Sequence, residues 1–394
     1  MPFEPHDDHH QQRALELARS ASALASPNPT VGCVLARDDE VLGEGAHLYD
    51  HHDHAEIIAL KDAAAHGHDV RGATAYVTLE PCSHHGRTAP CADALIAAGI
   101  ARCVIATVDP NPLVRGAGIA KLHAAGLKVL VANPTDDALA QQARALNDAF
   151  AWTIQHHRPF ITLKAALSID GKLAPARLSK PASKRGEAKP FWLTGEAARA
   201  DVQQLRHASD AILTGIGTIL ADDPQLTDRT GRERCRPLLR IVLDSQLRTP
   251  LQSRLVRSAA NDVLLLSHIT APSDRERALR EHGVEVIAIT GDNAALDLRA
   301  ILATLGGRSL NSVLVEAGTA INGSFLAAGL VDKLVLYVSE IELGKEALPF
   351  AQGIASPNAL QQQLQRIERA TFANGPTEDL RISGYLHDPW AGIE

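Results

Sequence analysis

Aromatic residues are scarce in this chain, 4% of its 394 residues, and methionine occurs once. Its cores must therefore be built mainly from Ala, Leu, Ile and Val. Five cysteines are too few, and odd in number, for a disulfide framework. A reducing, cytoplasmic setting is expected, one in which thiolates stay free to bind metal. A basic excess is missing as well. Lys and Arg number 39 against 46 Asp and Glu, a formal net charge of −7. That balance argues against a nucleic-acid partner while leaving room for a local basic pocket around a phosphate. No apolar run approaches the roughly 18 residues that a membrane span needs. The opening residues include Glu4, Asp7 and Asp8, and Arg13, Glu16 and Arg19 interrupt the apolar positions behind them. They do not read as a signal peptide. No GxGxxG follows a predicted strand in the Rossmann position, which argues against the standard dinucleotide fold. At roughly 150 residues per domain, the length implies two or three globular domains.

Apolar spacing fills in their outline. Residues 9–24 repeat at helical period, and Ser26-Pro27-Asn28-Pro29 ends that helix. Strands are predicted at 31–36, 73–79, 103–108 and 128–131. Helices are predicted at 55–65, near 118–125, and at 91–98, the last closed by Gly99 in the C′ position. This β–α alternation predicts a three-layer α/β domain over residues 1–147. Residues 148–158 would connect it, helical at first, to a second α/β domain over 159–394. There, strands are predicted at 159–164, 211–215, 238–244, 262–266, 284–289, 313–315 and 334–338, and Thr194 is expected to cap a helix over 195–207. Residues 174–190, rich in Lys, Arg, Pro and Ser, read as an exposed loop. No internal repeat relates the two halves.

Chemistry is concentrated at His54-Ala55-Glu56 and at Cys82 and Cys91, each cysteine preceded by proline. One imidazole and two thiolates give three protein ligands, the number a catalytic zinc uses when its fourth position is kept for water. A carboxylate two residues after the histidine, not needed as a ligand, is placed to move protons for that water. H-x-E followed by P-C-x-x-C is the layout of zinc deaminases acting on nucleobases. Here eight residues separate the cysteines. Glu56 falls at a helix start, where the dipole should favour the ionised carboxylate. Cys33 and Cys103 lie in apolar strands and read as core. His51 and His52 read as solvated loop residues, and His6, His9 and His10 as solvent-facing. In the second half, Val315 to Ser324 runs from a strand through small residues into a helix, a geometry suited to a phosphate but weak on its own.

The segment PCSHHGRTAPC, with HAE before it, DPNPLVRGAG (Asp109–Gly118) after it and the Asn28-Pro29-Thr30-Val31-Gly32 loop, resembles the deaminase half of the bifunctional riboflavin biosynthesis family. LKAALSIDGK from Leu163 and GTILADDPQLT from Gly217 resemble its reductase half. The resemblance covers essentially the whole chain. It implies a cytidine-deaminase-like domain followed by a dihydrofolate-reductase-like domain, one zinc per chain, NADPH, a pyrimidine ribose phosphate as substrate, and a homo-oligomer, dimer or tetramer. It further implies zinc on His54, Cys82 and Cys91, with Glu56 as proton shuttle, and substrate contacts from Asn28, His47, Arg87, Asp109 and Asn111. In the reductase half, Ala166, Trp192, Thr218, Asp222, Ser245 and the loop Gly318, Thr319, Ala320, Ile321, Asn322, Gly323 and Ser324 would face the cofactor. Lys164, Arg206, Leu226, Arg229 and Glu316 would face the substrate, with the two arginines gripping its phosphate. The chain departs from the family pattern at Ala89 (usually Pro), at His51 (usually Gly), and at Pro190-Phe191, where a polar pair is usual.

Overall fold

The computed structural model describes residues 6–84, 90–175, 191–268, 273–289, 296–354 and 356–393. The chain divides into two compact units. The first runs up to His157 and also takes in Glu233–Arg236 and the stretch from Pro389 onward; the second is Arg158–Arg232 with Pro237–Asp388. Two boundaries therefore differ from expectation. Most of the anticipated connection, 148–158, is the helix Asp148–His156 of the first unit, because Ala151 and Trp152 on it are buried. Residues 389–393, expected with the second domain, also belong to the first.

The first unit is built on strands β1 (Gly32–Arg37), β2 (Glu40–Ala46), β3 (Thr74–Val77), β4 (Arg102–Ile105) and β5 (Lys128–Val131) in the order β2-β1-β3-β4-β5. β1 is antiparallel to β2 and β3, while β3, β4 and β5 are parallel. Strand alternation sorts β1 onto two faces. Cys33 and Leu35 join a core with Ala55, Ala59, Leu95 and Leu122; Val34 and Ala36 join Ala14, Tyr76 and Val104. Helices thus cover both faces, giving three layers, and Cys33 and Cys103 are core residues as expected. β2 was not anticipated, since its glycines hide the strand pattern. They have a packing reason. A Cβ on Gly45 would lie 2.2 Å from the Ala55 carbonyl oxygen, so β2 and the helix Ala55–Ala65 pack backbone on backbone, seating His54 and Glu56 at that helix's start.

The second unit carries β6 (Phe160–Leu167), β7 (Lys172–Ala174), β8 (Ala211–Gly215), β9 (Leu239–Leu243), β10 (Val263–Ser267), β11 (Val284–Ala288), β12 (Ser312–Val315), β13 (Lys333–Val338), β14 (Leu348–Pro349), β15 (Gln365–Asn374) and β16 (Thr377–Tyr385). Its main sheet runs β11-β10-β9-β8-β12-β6-β13-β16-β15. The strands from β11 to β13 are parallel, and β13, β16 and β15 are antiparallel. The chain lays down β6, builds β8 to β11 outward, then returns to insert β12 between β8 and β6. In open sheets of this kind, such a reversal at the carboxyl ends of the central strands is where ligands bind. The β15–β16 hairpin was not anticipated, because β15 is a largely exposed edge strand on which Phe372 alone packs against a buried cluster. The helix Glu196–His207 follows Gly195, not a capping Thr194 side chain; Asp379 Oδ2 accepts from the Gly195 N–H at 2.6 Å instead. Among the described residues, no helix is long and apolar enough to cross a membrane.

Candidate active sites

Three ends of elements converge in the first unit. His54 is the N-cap of the helix Ala55–Ala65, Cys82 follows β3 by a short loop, and Cys91 opens the helix Cys91–Ala97. His54 Nδ1 lies 3.4 Å from Cys82 Sγ and 3.2 Å from Cys91 Sγ, and the three ligand atoms are mutually within 4.8 Å. A tetrahedral zinc with ordinary bond lengths separates nitrogen and sulfur ligands by about 3.6 Å, so the side chains fit that ion. No other described residues form such a group. The Cys91 thiol hydrogen bond, with help from His54, holds the Cys82 pKa down to about 4. That same bond, together with burial, pushes the Cys91 thiol up. A bound dication would keep both sulfurs deprotonated.

Glu56 is 3% exposed. Burial pushes its carboxyl up to about 7, outweighing the helix dipole that was expected to keep it ionised. The result suits proton transfer near neutral pH, and a bound dication would pull it back down. Asn28 Nδ2 and His47 Nε2 are 3.0 Å apart, and His47 Nδ1 is 2.8 Å from the Asp53 carbonyl oxygen. The His47 and His54 rings meet edge to face at 5.3 Å, and burial lowers the His47 pKa. Asp109 is buried, its carboxyl raised to about 7 by desolvation, and its Oδ1 accepts from the Asn111 N–H at 2.8 Å. Arg87 lies outside the described residues. His51 takes no left-handed conformation; the turn places that strain at His52, with φ 59°.

Two positioning residues escaped the sequence reading. Glu80, directly before Pro81-Cys82, is a buried carboxylate. It accepts from the backbone N–H groups of Gly116 and Gly118 at 2.9 Å, Ile119 at 3.2 Å and Asp109 at 3.3 Å. It therefore ties the Asp109–Ile119 loop to the cysteine segment. A Cβ on Gly118 would sit 1.9 Å from the Pro81 carbonyl oxygen, so only glycine allows that approach. Asn147, read as a domain end, is also buried and brackets Thr30, accepting from its N–H at 2.8 Å and donating to its carbonyl at 3.0 Å. The signals were a carboxylate abutting Pro-Cys and glycines spaced two apart.

In the second unit, Glu316 follows β12 and holds Arg206 through two bonds, Nε–Oε1 at 2.7 Å and Nη2–Oε2 at 3.1 Å. Lys164 Nζ, from β6, is 3.5 Å from Oε2. Burial alone would raise the Glu316 pKa; the charges of Lys164 and Arg206 more than reverse that and bring it to about 2. Arg206 also donates to the Thr227 carbonyl at 3.0 Å. The structure therefore pairs Arg206 with a carboxylate instead of joining it to Arg229, which is exposed. Leu226, expected to face substrate, is 4% exposed and packs in a core with Ile219, Leu238 and Val242.

The expected cofactor residues are similarly divided. Ala166, Thr218 and Ser245 are half-buried and Asp222 is exposed at a helix end. Trp192 is 58% exposed, with the Arg199 guanidinium 4.9 Å from its ring. Gly318, Thr319 and Ala320 form the start of the helix Thr319–Ala327. Thr319 lines a cleft of ≈ 490 Å³ with Pro349, Ala351, Gln352, Gly353 and Ile354, a loop the sequence reading did not single out. Asn322 and Gly323 make packing contacts. Asn322 Nδ2 donates to the Phe350 carbonyl at 2.9 Å, and a Cβ on Gly323 would meet the Gln352 oxygen at 2.3 Å. Ile321 abuts Gly215, and Ser324 Oγ donates back to the Ala320 carbonyl at 3.0 Å. Buried polar atoms of Thr214, Asp244, Ser267 and Thr319 have no hydrogen-bond partner among the described residues. They stand at or just past the ends of β8, β9 and β10 and at the head of that helix, where a polar cofactor fits.

Residues 5–107 match the family described as the cytidine and deoxycytidylate deaminase zinc-binding region, and residues 159–374 match the RibD C-terminal domain. The class is thus a zinc deaminase joined to a reductase that uses a nicotinamide cofactor. The chain belongs to the RibD family of riboflavin biosynthesis proteins. It is 39% identical over 340 residues to RibD of Actinobacillus pleuropneumoniae, covering 86% of this chain and 85% of that protein. It is 40% identical over 352 residues to RibD of Escherichia coli K12, covering 86% and 89%. Acinetobacter baumannii RibD (form 1) superposes with TM-score 0.76 at 35% identity, covering 96% of this chain and 98% of that one. The diaminohydroxyphosphoribosylaminopyrimidine deaminase/5-amino-6-(5-phosphoribosylamino)uracil reductase of Thermotoga maritima gives 0.77 at 31% identity, with the same coverage. The chain is a bifunctional deaminase and reductase of riboflavin biosynthesis acting on a small molecule.

Proposed function

We propose that the first unit deaminates 2,5-diamino-6-ribosylamino-4(3H)-pyrimidinone 5′-phosphate, and that the second reduces the ribosyl chain of the product with NADPH, giving the ribitylamino uracil phosphate. The observation that carries the first step is the convergence of His54, Cys82 and Cys91 beside a buried, unliganding Glu56. Zinc held there would supply a water acidic enough to attack near neutral pH. Glu56 takes a proton from the attacking water and delivers it to the ring nitrogen as the new C–O bond forms. It then carries the second proton to the amine as the C–N bond breaks and ammonia leaves. Asn28 and His47 orient the ring, and Asp109 and Asn111 hold the ribose phosphate, with Arg87 as a further contact.

In the second step NADPH held in the second unit would supply hydride to C1′ of the opened ribosylamine. A carboxyl held at about 2 is ionised at neutral pH, so Glu316 has no proton to give. Lys164, the ammonium beside it, is the better donor to the atom that gains charge. Arg206, fixed by Glu316, keeps one side of the site positive for the substrate phosphate, and exposed Arg229 is free to swing to it. Ala166, Trp192, Thr218, Asp222, Ser245 and the Gly318–Ala320 turn border the cofactor. A cytoplasmic setting belongs to the same reading, supported by five free cysteines. So does a homo-oligomer, dimer or tetramer, supported by the exposed edge strand β15.

The test is a single purified sample assayed for zinc, ammonia release and NADPH loss. About one zinc per chain, ammonia release that Glu56→Gln abolishes without loss of zinc, and NADPH oxidation only with the deaminated substrate are expected. NADPH consumption failing while deamination proceeds would leave the second unit as a binding module.

A further inference from the structure

Residues 389–393 belong to the deaminase unit although some 230 residues of sequence lie between them and its last helix. Trp390 is 2% exposed and Ile393 3% exposed; both pack with Ala151, and Val108 lies against that cluster. Trp390 Nε1 donates to Asp148 Oδ1 at 3.0 Å, and Gln155 Nε2 donates to the Pro389 carbonyl at 2.8 Å. Val108 directly precedes Asp109, so the segment reaches the loop read above as a substrate loop.

Two arginines then join the segment to that loop. Arg115 donates from Nη1 to the Gly392 carbonyl at 3.2 Å and from Nη2 to the Pro110 carbonyl at 3.0 Å. Arg144 donates from Nη2 to the Ile393 carbonyl and from Nε to Thr107 Oγ1, both at 3.2 Å, with its guanidinium carbon 4.9 Å from the Trp390 ring centroid. Each guanidinium has one end on residues 107–110 and the other on residues 392–393. A planar fork with several fixed donors suits such bridging, which a lysine could not reproduce. Glu80 holds the loop at the Asp109 and Gly116 N–H groups, so the arginines supply a second set of anchors.

We infer that residues 389–393 are a positioning element of the deaminase, which through Arg115 and Arg144 sets the Asp109–Asn111 loop in its substrate-gripping geometry. The inference rests on the reading that Asp109 and Asn111 hold the substrate. Binding loops gain precision from just such support, and a misplacement of about 1 Å is costly.

The test uses the zinc-loaded full chain with Arg115→Ala, Trp390→Ala and, separately, Asn111→Ala. Steady-state ammonia release is measured alongside zinc content and reduction of the deaminated substrate. Arg115→Ala and Trp390→Ala should each raise the deaminase KM about tenfold with kcat within about twofold, leaving zinc content and reductase activity at wild-type values. Trp390→Phe, which keeps an aromatic ring in the cluster but gives up the Nε1 bond and part of the packed volume, should recover part of the loss. If Trp390→Ala does not fold, Arg115→Ala decides alone. A KM unchanged in Arg115→Ala while Asn111→Ala raises it would overturn the inference and leave the loop reading standing. A silent Asn111→Ala would overturn both.

Discussion

Glu56 and Glu316 are the same residue type, both well removed from water, and they shift in opposite directions. Glu56, 3% exposed, has no Lys or Arg paired to it among the described residues, and burial outweighs the opposing charge of His54 and carries it up to about 7. Glu316, its side chain 14% exposed, faces Lys164 and Arg206, and their charges bring it to about 2 against the same desolvation. Neighbours, not depth, set the outcome. The deaminase carboxyl is left able to exchange a proton, whereas the reductase carboxylate is a fixed charge that organises two cations. One site is built to move protons and the other to hold a field.

The harshest way to break this contrast is to remove a metal-directed sulfur. Cys82→Ala should abolish both zinc retention and ammonia release while NADPH oxidation with the deaminated substrate continues; metal analysis with paired assays checks it. Glu56→Gln comes next. It should cost about 10²- to 10⁴-fold in ammonia release with zinc content unchanged, and a variant that remained active would refute the shuttle role.

Glu316→Gln should act on stability as well as on reduction. Removing one partner of a buried ion pair leaves the other uncompensated, at a cost of about 3 kcal/mol, read as a lower transition temperature for loss of the reductase unit in calorimetry. The sign with pH follows from the depressed pKa. The carboxylate's contribution is fully present above the unfolded value near 4.5 and is lost as pH falls toward about 2. The gap between wild type and Glu316→Gln should therefore close across that window, and a gap that stayed constant would mean the pairing is not its source.

The contrast also explains what the sequence could reveal. His54, Glu56, Cys82 and Cys91 lie at element ends close together in the chain, so their residue types and spacing declare the chemistry without the fold. Lys164, Arg206 and Glu316 come from two strand regions and a helix, and nothing local says that Arg206 turns to a carboxylate 110 residues away. Asn322 and Gly323 pack on the Phe350–Gln352 backbone, a contact the pattern could not reveal, because a strand–glycine–helix turn reads the same whether it meets a phosphate or protein. Parallel strands showed as apolar runs, whereas β2, rich in glycine, and β15, exposed at an edge, carried no such signature. The segment 389–393 was illegible in principle, since its partners are set only by the tertiary fold.

The smallest expected effect falls on Glu80, and it sharpens the comparison because this carboxylate is buried yet bonded to neutral N–H groups alone. Glu80→Gln keeps the shape but removes the charge and replaces one acceptor oxygen with a donor NH₂ group. The N–H groups of Gly116 and Asp109, or those of Gly118 and Ile119, would then face a donor. A cost of about 2 kcal/mol is expected. Because the residue sits in the first unit, heat inactivation should strike ammonia release several degrees earlier while NADPH oxidation survives to its usual temperature. Glu316→Gln should show the reverse order in calorimetry. If Glu80→Gln left the deaminase as heat-resistant as wild type, the loop from Asp109 to Ile119 would owe its position to the arginine bridges rather than to the carboxylate beneath it.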